Sequence, residues 1–468
     1  MGERRTGRDE RASWLRWLPE LRALDLRPDL AALARLGDLR RLSSLGGLGD
    51  GAGVARWLDE WNRLVAHPGG IDVPIAPPHP LVAAKLVADE AYLLARAPLV
   101  SSLGPAVDFV GAEAEIAAAL ELFARRGWLD DPRSFHRHTA GDAGSPPPAA
   151  PRARREWSAV GRFDHLRFVS GYAPDPDVPG RARWLAQRAN REAHAWAVRS
   201  ASDTRRWLVC IPGWGMGSPS LDLSAFAADA LHAAHGLNVL LYVPPLHGPR
   251  RAGWRSGDGL FDASPLAFVH ASAQAVWELR RLVAWLRAEG AERVGVFGLS
   301  LGASFAALLA SVEPGLDCVV AGMPATDVAP RYASYCDGVA RKTGEAPSDV
   351  RARAERLLRV AAPTAVAPLV PRERRYVFAG VVDRVVRPAD VLALWRHWER
   401  PRIAWYPGGH VSYATEPKVR ALLARAWDEA GLARPARRAR GSRASTRRSA
   451  AGAAAGSTAR APRSRRSP

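Results

Sequence analysis

The stretch Arg293–Ala303, Arg-Val-Gly-Val-Phe-Gly-Leu-Ser-Leu-Gly-Ala, limits what this chain can fold into more than any other. A short apolar run, Arg293–Phe297, ends in Gly298-Leu299-Ser300-Leu301-Gly302, and small apolar residues follow at once as far as Val312. The pattern predicts a buried strand, a very tight turn and a buried helix. Ser300 stands at the apex of the turn. Backbone there is strained, and large side chains two residues to either side would clash; Gly298 and Gly302 remove that clash. Such a turn lifts a hydroxyl clear of the sheet edge and aims a helix N-terminus at it, which suits a nucleophile. Val294–Val312 is also a 19-residue run without a charge, a length that hydropathy alone reads as a membrane span. The strand-like start, the three glycines and the central turn argue against one continuous helix.

A nucleophilic serine needs a base, an acid to orient that base, and donors for an oxyanion. The sequence offers all three near predicted strand ends. Arg375–Gly380 reads as a strand, and the loop Val381-Val382-Asp383 leaves it. Ile403–Tyr406 reads as the last strand, and Pro407-Gly408-Gly409-His410 leaves that, the two glycines giving the loop freedom to place a ring. There are twelve histidines, so position rather than residue type singles out His410. Asp327, in Gly322-Met323-Pro324-Ala325-Thr326-Asp327, follows another strand and is the alternative acid. For the oxyanion hole, the residue after the nucleophile supplies one N–H, that of Leu301. The other comes from Pro212-Gly213-Trp214-Gly215-Met216-Gly217, which follows the apolar strand Trp207–Ile211. Trp214 is the candidate donor, with Met216 as fallback.

These residues together resemble the α/β-hydrolase superfamily. The likeness covers about 157–432 and rests on the elbow Gly298–Gly302, the loop Pro212–Gly215, Asp383 and His410. Many relatives carry His-Gly where this chain has Pro212-Gly213. Val239–Pro245 followed by Leu246-His247-Gly248-Pro249-Arg250-Arg251 resembles a bacterial branch with a helical N-terminal extension. The resemblance implies the chain order serine, acid, histidine, and some members take their acid from the position of Asp327. It implies a mostly parallel twisted sheet flanked by helices, with the ligand at the carboxyl ends of the strands.

The rest of the chain fits around that domain. Glu156–Tyr172 and Glu192–Ser202 read as the first strands, Ser220–His235 as one helix, Leu237–Val243 and Leu316–Gly322 as strands, and Pro265–Glu289 as a long amphipathic helix. Residues 327–371 form a helical insertion, read as a lid. Its Tyr332 and Tyr335, with Trp254 and Phe261, are candidates for an acyl pocket, although core packing is the plainer role for each. Arg341, Lys342 and the arginines of 351–356 would attract an anion or merely solvate a helix face. Residues 1–140 read as a helical extension, with amphipathic stretches at Trp14–Leu36, Leu81–Ala97 and Ala112–Arg126, and residues 141–156 as a Pro/Ala-rich linker.

Composition bears mainly on the ends. The formal net charge is +19, and residues 433–468 hold 11 arginines and no acid. This Arg/Ala/Ser-rich tail reads as disordered, with a weak nonspecific hold on nucleic acid or anionic membrane. No apolar segment of a secretory signal follows Met1, and three scattered cysteines make neither a disulfide framework nor a zinc site, so a cytoplasmic protein is expected. His136 and His138 give a weak metal hint, with no carboxylate or cysteine at useful spacing; they read as loop. The expected function is hydrolysis of a small-molecule carboxylic ester by Ser300, Asp383 and His410, with neither metal nor organic cofactor. Acyl transfer and amide or peptide cleavage would use the same parts. A reading of another class is a non-catalytic hydrolase-fold protein that binds nucleic acid or membrane through its tail.

Overall fold

The computed structural model describes residues 73–76, 79–96, 108–138, 150–199, 204–261 and 264–433. The helix read at Trp14–Leu36 and the basic tail lie outside them. Nine strands form one sheet in the order β1-β2-β3-β5-β4-β6-β7-β8-β9. They are β1 Arg152–Ser158, β2 Gly161–Val169, β3 Glu192–Val198, β4 Arg206–Ile211, β5 Asn238–Val243, β6 Arg293–Leu299, β7 Cys318–Gly322, β8 Arg375–Gly380 and β9 Arg402–Tyr406. β1, β2, β3 and β5 pair antiparallel; β5, β4, β6, β7, β8 and β9 run parallel.

Two of the sequence readings change here. Glu156–Tyr172 is not one strand: a turn before Gly161 splits it into β1 and β2. β1 also starts inside the supposed linker, at Arg152. Its sequence, Arg-Ala-Arg-Arg-Glu-Trp-Ser, is largely exposed, so it lacks the apolar alternation of a half-buried strand. Charged edge strands of this kind resist pairing with other chains.

The helices are α1 Pro80–Arg96, α2 Phe109–Arg125, α3 Pro132–His138, α4 Arg181–Leu185, α5 Pro219–Ala225, α6 Ala228–His235, α7 Pro265–Ala288, α8 Leu301–Val312, α9 Ala333–Thr343, α10 Pro347–Leu358, α11 Pro388–His397 and α12 Pro417–Glu429. The helix expected over Ser220–His235 is two, α5 and α6, broken where Ala227 takes a φ of 47°. Alternate residues of each central strand enter two separate cores. Trp207, Val209 and Ile211 of β4 join α7 and α8 on one face. Leu208 and Cys210 join the α12 side on the other. Period-two side chains on a sheet covered on both faces require this division. Among the described residues, no helix is long and apolar enough to cross a membrane.

Register sets the position of the site. Ile211 pairs with Gly298, Gly298 with Ala321, Ala321 with Val377 and Val377 with Ile403. The carboxyl ends of five strands therefore form one row. The chain leaves β4, builds β5 on one side of it, then returns to β6 on the other. A sheet whose order reverses in this way opens a crevice at the strand ends.

One buried ion pair braces the loop after β5. Arg250 and Glu278 are both fully buried, joined by two bonds of 2.7 Å. Glu278 lies on α7, and Arg250 also donates to the Val243 carbonyl at the end of β5 at 2.9 Å, so the loop is tied to both elements. Removing one member of such a pair strands the other charge in the core. Arg250→Leu should therefore lower the unfolding free energy by about 3–5 kcal/mol, measured by urea titration; a change near zero would contradict this role.

Candidate active site

Ser300 follows β6 directly and has φ 56° and ψ −118°. A non-glycine residue rarely adopts this conformation, which costs on the order of 1–3 kcal/mol and persists only where packing enforces it. The packing is visible. A Cβ on Gly302 would lie 2.0 Å from the Ile211 carbonyl oxygen, and one on Gly298 would lie 2.2 Å from that of Gly302. The Ser300 N–H donates to Gly322 O at 2.8 Å. Every residue from Val294 to Val312 is buried except Ser300. The sequence reading of this turn therefore holds in detail, and α8 begins at Leu301, whose first-turn N–H has no acceptor within its own helix.

The glycine loop after β4 lies over the serine. A Cβ on Gly213 would stand 3.3 Å from Ser300 Cβ. Trp214 comes next, its indole N–H donating to Gly257 O at 3.1 Å and its ring set against Phe261 with centroids 5.5 Å apart. Met216, the fallback donor, spends its N–H on Gly213 O at 3.2 Å, which removes it from the candidates. The loop's end is pinned by Asp222, a fully buried residue not singled out from sequence. It accepts from the Gly217 N–H at 2.9 Å and the Trp196 indole at 3.0 Å. Burial pushes its carboxyl up to about 7.

Asp383 and His410 come together across β8 and β9. His410 Nδ1 and Asp383 Oδ2 are 2.8 Å apart. The other oxygen of Asp383 accepts from the N–H groups of Val385 and Val386, both at 2.8 Å, so its own loop fixes the carboxylate. With Nδ1 engaged, Nε2 is the nitrogen left to face a hydroxyl. No hydrogen bond joins Ser300 Oγ to His410 among the described residues; such contacts often close only around substrate. Burial alone would lower the His410 pKa. The charge and hydrogen bond of Asp383, with the charge of Asp89, outweigh it and hold the imidazole above its usual 6.5.

Asp327 is not brought to His410. It is exposed, bonds the Ala329 N–H at 3.1 Å and pairs with Arg387 at 3.2 Å. Its oxygens are taken up by its own turn and a surface cation. The aromatics read as pocket candidates also divide. Tyr332 and Tyr335 are buried in the core, Phe261 packs on Trp214, and Trp254 is 83% exposed. Arg353 pairs with Glu113 and Glu345, so it ties the insertion at 327–371 to α2 and to itself. His136 belongs to α3 rather than a loop, buried with Nε2 2.9 Å from Val360 O.

The sequence reading missed Asp89 on α1. It is fully buried and accepts from the N–H groups of His410 at 2.6 Å, Val411 at 3.1 Å and Arg384 at 3.1 Å. Burial and the Asp383 charge push its carboxyl up to about 6, against the pull of the His410 and Arg384 N–H groups and of the His410 charge. Its signal was present: Val82, Leu86 and Asp89 share the buried face of α1, and a carboxylate on such a face needs partners. The same carboxylate explains the second glycine before His410. A Cβ on Gly409 would lie 2.3 Å from Asp89 Oδ2. That glycine makes room for a neighbour, where sequence suggested freedom of the loop.

A mostly parallel sheet with a glycine-packed serine turn, a glycine loop beside it and a buried acid–histidine pair on adjoining strand ends defines the α/β-hydrolase class. The chain belongs to the α/β-hydrolase superfamily. The family described as "Alpha/beta hydrolase domain containing 18" matches residues 196–345, a span that includes the glycine loop and Ser300 and stops before Asp383. The uncharacterized protein MT2702 of Mycobacterium tuberculosis strain CDC 1551 / Oshkosh is 38% identical over 366 residues, covering 77% of this chain and 85% of its own. Uncharacterized protein Rv2627c of strain ATCC 25618 / H37Rv gives the same identity and coverage, 38%, 77% and 85%. Among solved structures, an acetyl xylan esterase from Paenibacillus sp. R4 is similar, with TM-score 0.43, 14% identity and coverage of 64% of this chain and 93% of that one. Acetyl Xylan Esterase 1 from Thermoanaerobacterium sp. JW/SL YS485 has TM-score 0.39, 16% identity and coverage of 66% and 93%.

The electrostatics are open to direct measurement. By NMR the His410 imidazole should titrate above 6.5, and Asp383→Asn should bring it below that value, because burial then prevails. A titration unmoved by Asp383→Asn would contradict the pairing.

Proposed function

We propose that the protein is a serine hydrolase that cleaves a carboxylic ester through an acyl-enzyme on Ser300. One observation carries the reading. Ser300 is the one residue from Val294 to Val312 that is not buried, and it lies on the same sheet edge as the hydrogen-bonded Asp383–His410 pair. His410 Nε2 takes the proton from Ser300 Oγ as that oxygen attacks the ester carbonyl. Asp383 holds the imidazole in the required tautomer and stabilises its cation. The Leu301 and Trp214 N–H groups receive the oxyanion, and the helix N-terminus at Leu301 adds a favourable field. Collapse expels the alcohol, which leaves with the proton from Nε2. Water repeats the sequence on the acyl group and frees Ser300.

The raised His410 pKa fits this role. A base must be neutral to accept a proton, so activity should climb as pH rises through that pKa. The chemistry draws only on side chains and N–H groups of the chain. The three cysteines are free and buried, which suits the reducing cytoplasm we propose for it. The arginine-rich tail, in this reading, adds a weak hold on anionic partners and takes no part in bond breaking.

Ser300→Ala should abolish labelling by a fluorophosphonate probe and reduce ester turnover by on the order of 10⁶-fold. Labelling equal to wild type would refute the nucleophile. A panel of p-nitrophenyl esters of varied acyl length, run beside the matching p-nitroanilides, tests the substrate class. Turnover of anilides in preference to esters would replace the ester reading with amide cleavage.

A further inference from the structure

Helix α1 lies more than 280 residues before Asp383 in the chain, yet it touches three of the loops that form the site. Lys85, Asp89 and Tyr92 project from one side of it, at positions i, i+4 and i+7. Lys85 Nζ donates to the Pro407 carbonyl at 3.1 Å and pairs with Glu416, on the histidine loop and its exit. Asp89 gathers N–H groups from both sides of the acid–histidine pair: Arg384 follows Asp383, and His410 and Val411 are the histidine loop itself. The Tyr92 ring stands 6.1 Å from the His410 ring, and its hydroxyl donates to Trp214 O at 3.5 Å, on the glycine loop. Gly409 is matched to this contact, since any side chain there would overlap the Asp89 carboxylate.

We propose that Asp89 is a positioning residue of the hydrolase site, a carboxylate latch that ties the acid loop to the histidine loop and holds His410 within reach of Ser300. The inference rests on the reading of Ser300, Asp383 and His410 as the catalytic set. It makes α1 a working part of the site. A residue that merely docked α1 onto the domain would have no reason to bond the backbone on both sides of one imidazole. A packing contact through Val82 and Leu86 already holds the helix, in a cluster with Val381 and Val382. The charged groups around the His410 ring are Asp383, Asp89 and Arg331: the two carboxylates raise its pKa and the guanidinium lowers it.

Asp89→Asn keeps the shape, removes the charge and leaves one oxygen to do the work of two. It should lower kcat for a p-nitrophenyl ester by about 10²-fold, the usual cost of a small misplacement, with KM unchanged. The acid limb of kcat/KM should move to lower pH, because one of the charges that raises His410 is gone. Fluorophosphonate labelling should slow in parallel. Wild-type kcat together with an unmoved acid limb would overturn the latch and leave Asp89 as a docking residue. Should Asp89→Asn fail to fold, Gly409→Ala carries the test: its methyl group displaces the carboxylate while the charge remains, and wild-type kcat in that variant overturns the proposal. Ser300→Ala, run beside them, separates the two ideas. If it still labels, the catalytic set itself is wrong and the latch falls with it; if it does not, any failure belongs to Asp89 alone.

Discussion

The backbone of Ser300 cannot relax. At φ 56° and ψ −118° it occupies a region that side chains avoid, and the glycines on either side let β4, β6 and α8 close in until no other path is open. Gly302 meets the end of β4, and Gly298 meets the start of α8. The same contact that strains the serine also brings the glycine loop after β4 over it. Ser300 and the glycine loop are thus brought together by a single packing event between adjacent parallel strands. The aligned strand ends extend the row to β8 and β9, so that short loops suffice to bring an acid and an imidazole to the same edge.

Three buried aspartates show how surroundings assign different roles to one side chain. Asp383 has one oxygen fixed by two backbone N–H groups of its own loop and the other on His410. Asp222 faces an indole and a glycine N–H and holds the end of the glycine loop. Asp89 faces only backbone of the acid and histidine loops. A buried carboxylate without donors would be costly; each of these is supplied with them. Asp383 is the one whose free oxygen meets a titrating ring.

The strand–turn–helix at 293–312 was legible because it depends on neighbours in sequence: period, small residues and two glycines. Asp383 and His410 were legible for a similar reason, since each follows an apolar strand within a few residues. Asp327 met the same local criterion, and only the direction of its loop, toward Arg387, separates it from Asp383. Asp89 depends on a contact with His410 across 321 positions, which no window of sequence contains. The break at Ala227 has no glycine or proline to announce it. β1 hid among arginines because it is an exposed edge, where period-two patterning has nothing to bury.

The account stands or falls on whether the serine and the acid–imidazole pair meet around one reacting carbon. A crystal structure of the protein after reaction with a phosphonate ester is the most direct measurement. It should show phosphorus bonded to Ser300 Oγ, one phosphoryl oxygen facing the N–H groups of Leu301 and Trp214, and His410 Nε2 at hydrogen-bond distance from an oxygen of the adduct. An adduct on another residue, or one on Ser300 with the His410 ring turned away and the Asp383 contact unchanged, would contradict it.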